Sequence, residues 1–203
     1  MVIAHPPGII KKIYHKLLWS FKGTPKELFL TFDDGPTPEI TQWVLDELEK
    51  FNAKATFFCL GRNVEKHPEI YNKIINNGHS VGNHTYSHLN GWKTKVNEYL
   101  EDVELAKQFI DSKLYRPPYG KLKPLQKRGL LEQFKIVMWD VLSGDYDIKT
   151  DKNKCLENII NFSKSGSVIV MHDSVKAKEN LYYVLPKILE YFSDKDYCFS
   201  SIK

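Results

Sequence analysis

Short runs rich in β-branched and aromatic residues alternate with longer amphipathic runs along this 203-residue chain, and no other feature restricts its fold as much. The β-rich runs are LFLTF at 28–32, ATFFCL at 55–60, HSVGNH at 79–84, KLYRP at 113–117, KIVMWDV at 135–141, SVIVMH at 167–172 and YCFSSI at 197–202. Helical patterns lie between them, near 39–51, 67–77, 95–112, 122–134, 152–164 and 178–193. Thr37, Pro38 and Glu39 read as an N-cap, an N1 proline and a first-turn acid for the first helix. Repeated strand-then-helix units imply α/β architecture with a mainly parallel sheet, and seven units in so short a chain suit a compact or incomplete barrel.

A hydrophobic content of 42% is enough for one full-size core, so a single α/β domain is expected. The 29 basic and 25 acidic residues are interspersed, with no basic run, which argues against nucleic acid as a partner. Cys59, Cys155 and Cys198 are odd in number, far apart and set in apolar contexts, which fits core packing better than a disulfide framework. No stretch reaches the length of a transmembrane helix, so stable membrane insertion is not expected. Lys11, Lys12, His15 and Lys16 interrupt what would be a leader's apolar region, which leaves a cytoplasmic protein as the default expectation. Ile10, Ile13, Tyr14, Leu17, Leu18 and Phe21 recur at helical spacing, and predict a helix packed on the domain over one lying on a membrane surface. Residues 1–27 are therefore read as an extension packed on a domain spanning 28–203.

In parallel α/β folds the loops leaving the C-terminal ends of the strands build the site. By that rule Asp33 and Asp34 end the first run, Asn83 and His84 the third, and Arg116 the fourth. Asp140 and Asp145 follow the fifth, and His172 and Asp173 end the sixth. Singly, a strand-end Asp is commonly a helix cap and DDGP is commonly a turn. Delivered to one rim by five segments, these groups read as a catalytic site.

His84 and His88 are four residues apart, so a turn brings both imidazoles onto one ion, and a strand-end carboxylate completes a two-His, one-carboxylate set with open positions. Such an ion activates water and polarises a carbonyl. Hydrolysis also needs a base for the water and an acid for the leaving group. Adjacent Asp33 and Asp34 can divide the work, because successive strand side chains face opposite ways and the DDGP bend re-aims the second.

The ordered motifs TFDDGP, HTYSH, RPPYG, WDVLSGDYD and VIVMHD resemble those of the polysaccharide deacetylase family with a NodB homology domain, carbohydrate esterase family 4. The resemblance runs from about Leu28 to the C-terminus and implies a distorted or incomplete (β/α)7 barrel. It implies Asp34, His84 and His88 as ligands of one divalent metal, most simply zinc, with cobalt, nickel or iron as alternatives, and Asp33 as the base. It further implies that Arg116 holds Asp33, that the Tyr119 N–H binds the oxyanion and that His172 is the general acid. Pro117, Trp139, Tyr146 and Val170 are expected to line the substrate, an N-acetylated oligo- or polysaccharide that is chitin-like or peptidoglycan-like. Residue chemistry agrees: Arg116 keeps its charge beside a carboxylate, and the two prolines and glycine of RPPYG stiffen a loop whose N–H groups must point at developing charge.

The chain departs from the family pattern at Leu142, where many members carry an acid thought to tune the histidine, which leaves Asp140, Asp145 or Asp173 as the partner of His172. Tyr146 and Val170 stand where Trp and Leu are common, so the acetyl-binding wall is expected to differ in shape. Alternative functions are an amidase of small non-glycan amides on the same fold, a non-catalytic glycan-binding module, and an Fe(II) oxygenase. The last is disfavoured by the strand–helix alternation.

Overall fold

A computed structural model describes residues 4–203. In chain order its elements are α1 (Gly8–Ile13), β1 (Glu27–Asp33), α2 (Ile40–Lys50), β2 (Ala55–Cys59), α3 (Gly61–Lys66), α4 (Pro68–Asn76), β3 (Ser80–Asn83) and α5 (Val96–Lys107). There follow β4 (Leu114–Tyr115), α6 (Pro124–Leu131), β5 (Lys135–Ile136), β6 (Val141–Leu142), α7 (Lys152–Phe162), β7 (Val168–His172), α8 (Lys178–Ser193) and β8 (Cys198–Phe199). One sheet runs in the order β5-β4-β3-β2-β1-β7-β6, with β8 beside the start of β1. Every strand pairing in it is parallel. This is the expected distorted (β/α)7 barrel, open between β5 and β6.

Strand parity decides which side chains reach the interior. Along β1, Leu28, Leu30 and Phe32 are fully buried in the cluster beneath the outer helices, with Val44, Leu48, Leu185 and Leu189. Each such burial contributes roughly 1.5–3 kcal/mol. Phe29 faces the other way and packs inside the barrel with Phe58, Val137 and Val168. Asp33 shares the parity of Phe29, so the alternation that buries one face aims this carboxylate at the barrel mouth. His172 stands to Val168 in β7 as Asp33 stands to Phe29, and the two strands pair Asp33 with His172 in register.

Four local expectations need correction. The run at 135–141 is not one strand: β5 pairs β4, β6 pairs β7, and the intervening backbone changes partner, with Val137 N–H donating to Tyr115 and Met138 N–H to Leu18. The apolar N-terminal stretch is not one packed helix. α1 covers six residues and buries none of them, while Leu17 and Trp19 are buried in alternation along an extended segment that bridges Val137 and Ser167 across the barrel gap. Burial of that period-2 face overrides the weak helical spacing. α2 begins at Ile40 with Glu39 at its N-cap position in left-handed backbone, φ 64°, because Thr37 is held by its N–H donating to the Thr41 hydroxyl at 2.7 Å. Cys59 and Cys155 are core residues as expected, whereas Cys198 is exposed.

Candidate active site

Asp33 ends β1 and Asp34 follows it with φ 82°, a left-handed bend that separates the two carboxylates. The Asp33 Oδ1 accepts a 2.7 Å hydrogen bond from Arg116 Nη1, and the Asp34 carboxylate faces His84 and His88. Asp173 holds the bend in place. Its Oδ1 accepts from Gly35 N–H at 3.1 Å and its Oδ2 from the Thr41 hydroxyl at 2.6 Å. A Cβ at position 35 would lie 2.0 Å from Asp173 Oδ2, so only glycine fits there. Burial, the largest influence, together with nearby Asp34, raises the Asp173 carboxyl to about 8, against the hydrogen bond from Thr41.

Arg116 is completely buried and its donors are used in several directions. Nη1 serves Thr31 Oγ1 and Asp33, Nε serves the Val137 carbonyl, Nη2 serves the Met138 carbonyl, and the plane sits 4.1 Å above the Phe58 ring. A guanidinium so fixed can hold its carboxylate in only one place.

The HTYSH loop is built against its own preferences: Thr85 and His88 both have positive φ, 67° and 63°. Side chains from inside and outside the motif keep it there. Asn83 Oδ1 accepts from Thr85 N–H, Thr85 Oγ1 accepts from His88 N–H, and Asp102 on α5 accepts from both Tyr86 and Ser87 N–H, at 2.9 and 3.0 Å. Asp102 has no signal in the sequence, since it lies in the middle of an amphipathic helix where an acid is unremarkable.

Among the described residues, Asp34, His84 and His88 are the one His/Cys/Asp/Glu trio whose ligating atoms all lie within 4.8 Å of one another. The donor set fits a divalent ion on three grounds. His84 Nδ1 lies 2.7 Å from the Arg116 carbonyl, to which it donates, and this leaves Nε2 unprotonated and facing the trio. Burial pulls His84 down to about 4, against the pull of Asp33, so the imidazole is in its neutral, ligating form. The Asp34 Oδ1 is buried without a hydrogen-bond partner, although His88 Nε2 is 3.2 Å away and His84 Nε2 3.7 Å away. Such an oxygen is costly unless a cation meets it. Burial by itself would raise the Asp34 carboxyl, but His88, His172 and His84 together hold it well below the usual carboxylate range.

Across the cleft, His172 Nδ1 is 2.8 Å from Asp145 Oδ1, and Asp145 Oδ2 accepts from His172 N–H at 2.8 Å. The Ser143 hydroxyl donates to Asp145 Oδ1 at 2.7 Å. Burial alone would lower the imidazole, but the Asp145 carboxylate, aided by Asp34 and Asp33, raises it to about 9. Asp145 is thus the partner that the sequence left open, and uncharged Leu142 leaves nothing missing. Asp140 is at the other end of the barrel wall, bound to Lys11, His5 and Ser167.

Asp33, Asp34, His84, His88 and His172 line one cavity of about 500 Å³. Pro117, Trp139, Leu142, Tyr146 and Val170 form its apolar wall, with Tyr119 at the rim. Tyr119 has φ 59°, its ring lies 4.7 Å from that of His88, and its N–H enters none of the hydrogen bonds that its neighbours Gly120 and Lys121 make within the loop. The structure therefore gathers every residue singled out as catalytic, metal-binding or substrate-lining; Arg116 alone stands behind the cavity instead of lining it. Asn83, Asp140 and Asp173, expected at the rim, serve the backbone and the barrel wall instead.

The polysaccharide deacetylase family model matches residues 21–135. The chain belongs to that family. It is 39% identical over 168 residues to a peptidoglycan-N-acetylglucosamine deacetylase of Bacillus cereus, a match that takes in 78% of this chain and 61% of the relative. A second Bacillus cereus protein of the same name is 30% identical over 194 residues, 91% of this chain and 90% of the relative. The solved Bc1960 peptidoglycan N-acetylglucosamine deacetylase, in complex with 4-naphthalen-1-yl-N-oxidanyl-benzamide, superposes with a TM-score of 0.84 at 34% identity, covering 97% of this chain and 95% of that one. The chain thus spans about three fifths of one curated relative and nine tenths of the other. Among the described residues no helix is long and apolar enough to cross a membrane.

Proposed function

We propose that this protein hydrolyses N-acetyl groups from amino-sugar glycans, chitin-like or peptidoglycan-like, with one divalent ion held by Asp34, His84 and His88. One observation carries the reading: the trio lies between two partnered groups in a single cavity, Asp33 on Arg116 and His172 on Asp145. Residues 28–203 are taken as the deacetylase domain and 1–27 as an extension, whose first three residues lie outside those described. Two nitrogens and one oxygen suit zinc, and also cobalt, nickel or iron.

A bound ion supplies Lewis acidity, lowering the pKa of water and polarising the amide carbonyl. Asp33, aimed by Arg116, takes the proton of the attacking water as its oxygen bonds to the carbonyl carbon. The Tyr119 N–H donates to the oxyanion that forms, a contribution of about 3 kcal/mol for one well-placed donor. His172, charged through its pairing with Asp145, then gives its proton to the amide nitrogen as the carbon–nitrogen bond breaks. The products are acetate and the free amine. Pro117, Trp139, Tyr146, Val170 and Leu142 enclose the acetyl methyl and keep bulk water from the scissile bond. Metal-stripped protein reloaded with each ion in turn should release acetate from N-acetylated glycans and not from small non-glycan amides. Release from simple amides alone would make it an amidase, and glycan binding without acetate release under any ion would make it a binding module.

A further inference from the structure

We infer that a second groove, walled in part by the N-terminal segment, binds the sugar units flanking the reacting one and reads a carboxylate on them; this rests on the deacetylase reading above. A cavity of about 590 Å³ lies between the residues preceding β1 and the stretch from Pro117 into the first turn of α6. It adjoins the catalytic cavity, with Pro117, Tyr119, Gly120, Lys121 and Trp139 lining both. Its size is in the range of cavities that hold organic ligands.

Three rings stand among the remaining lining residues: Tyr14 and Trp19 from the N-terminal segment and Trp92 from the loop after His88. Trp92 is 61% and Tyr14 40% exposed, so both rings present area to solvent at the groove. Flat rings open to solvent suit the apolar C–H faces of pyranose sugars, and the adjoining cavities place these rings where a glycan strand would run beyond the reacting unit.

Charge selects among glycans. Lys121 Nζ stands 5.1 Å above the Trp92 ring and Lys127 Nζ 4.8 Å above the Tyr14 ring. No Asp or Glu lines the groove, and neither lysine belongs to an ion pair among the described residues. Two cations over aromatic faces, with no acid to neutralise them, are complementary to a sugar that carries a carboxylate.

The test compares acetate release by the metal-loaded enzyme from a neutral N-acetylglucosamine tetramer, a tetramer alternating N-acetylglucosamine with carboxylate-bearing N-acetylmuramic acid, and a neutral disaccharide. Wild type should show a lower KM for the carboxylated tetramer than for the neutral one. Lys127→Gln should raise KM for the carboxylated tetramer about fivefold, raise it less for the neutral tetramer, and weaken the salt dependence of KM. Trp92→Ala should raise KM about fivefold for both tetramers and less for the disaccharide. Unchanged tetramer KM in both variants, or equal losses on all three substrates, would overturn the groove. Calorimetric binding of the carboxylated tetramer is the second readout. If wild type releases no acetate from any substrate, the activity reading fails, while weaker binding by the two variants still supports the groove and equal binding refutes it.

Discussion

Replacing Asp145 by Asn, which keeps shape and removes charge, tests the pairing on which His172 depends. In the metal-free protein the imidazole titrates at about 9 instead of 6.5, with burial opposing the rise and Asp145 the largest influence supporting it. Because the folded pKa lies above the unfolded one, the resulting stability is fully present below pH 6.5 and is lost as pH rises through about 9. The span of about 2.5 pH units, at 1.36 kcal/mol each, corresponds to about 3 kcal/mol. Loss of an opposite charge at this distance should lower the imidazole by about 1–3 pH units, so Asp145→Asn should forfeit much of that stability at acid pH and little of it at alkaline pH.

Urea unfolding of metal-stripped protein at about pH 6 and about pH 10 reads this directly, with His172→Gln as the variant that removes the titrating group altogether. Wild type should lose about 3 kcal/mol more than His172→Gln does over that interval, and Asp145→Asn should fall between them. Parallel losses in wild type and His172→Gln would show that the His172–Asp145 pair does not shift the imidazole.

Three further predictions concern the same cavity. Asp33→Asn should lower kcat by about 10²–10⁴-fold with metal content intact, whereas Asp34→Asn should lose metal by elemental analysis and regain part of its rate with excess ion; the reverse pattern would exchange their roles. Asp102→Ala should weaken metal affinity by about 10–100-fold in a competitive chelator titration, since the loop carrying His88 loses two of its anchors; unaltered affinity would show that the loop holds its shape without Asp102. Gly35→Ala should destabilise the protein by about 1–3 kcal/mol in urea unfolding, because its Cβ would overlap Asp173, and a variant as stable as wild type would mean that the clamp gives way freely.

The chain's periodicity made the barrel legible, because seven buried runs of similar length leave few ways to satisfy a parallel sheet. Less visible were the features fixed by contacts distant in sequence. The split between β5 and β6 follows from Met138 pairing with Leu18, 120 residues earlier, and no local pattern marks that change of partner. Candidate ligands were legible because metal and acid–base chemistry demand particular residue types at strand ends. Their supports were not: Asp102 and the choice of Asp145 over Asp140 depend on which side chains the fold brings together. Asp140 was misplaced because a rule about strand ends was applied to a strand that begins one residue after it.

The turn and the chemical interpretations of DDGP do not compete. Asp34, Thr85, His88 and Tyr119 are non-glycine residues with positive φ, each costing of order 1–3 kcal/mol; Asp34, His88 and Tyr119 line one cavity, and Thr85 lies in the loop between its two histidines. Such conformations persist only where neighbours over-determine them, and here the neighbours are identifiable: Asp173 on the DDGP bend, and Asp102, Asn83 and Thr85 on the histidine loop. The DDGP bend is a turn because the site needs one, since a straight continuation of β1 would aim Asp34 away from the barrel mouth that Asp33 faces. The acid of the HD pair at 172–173 therefore does structural work for a loop on another strand, while the histidine beside it faces the cavity. Adjacent residues on one strand end divide support and chemistry between the two sides of the sheet, and the same alternation separates Phe32 in the core from Asp33 at the mouth.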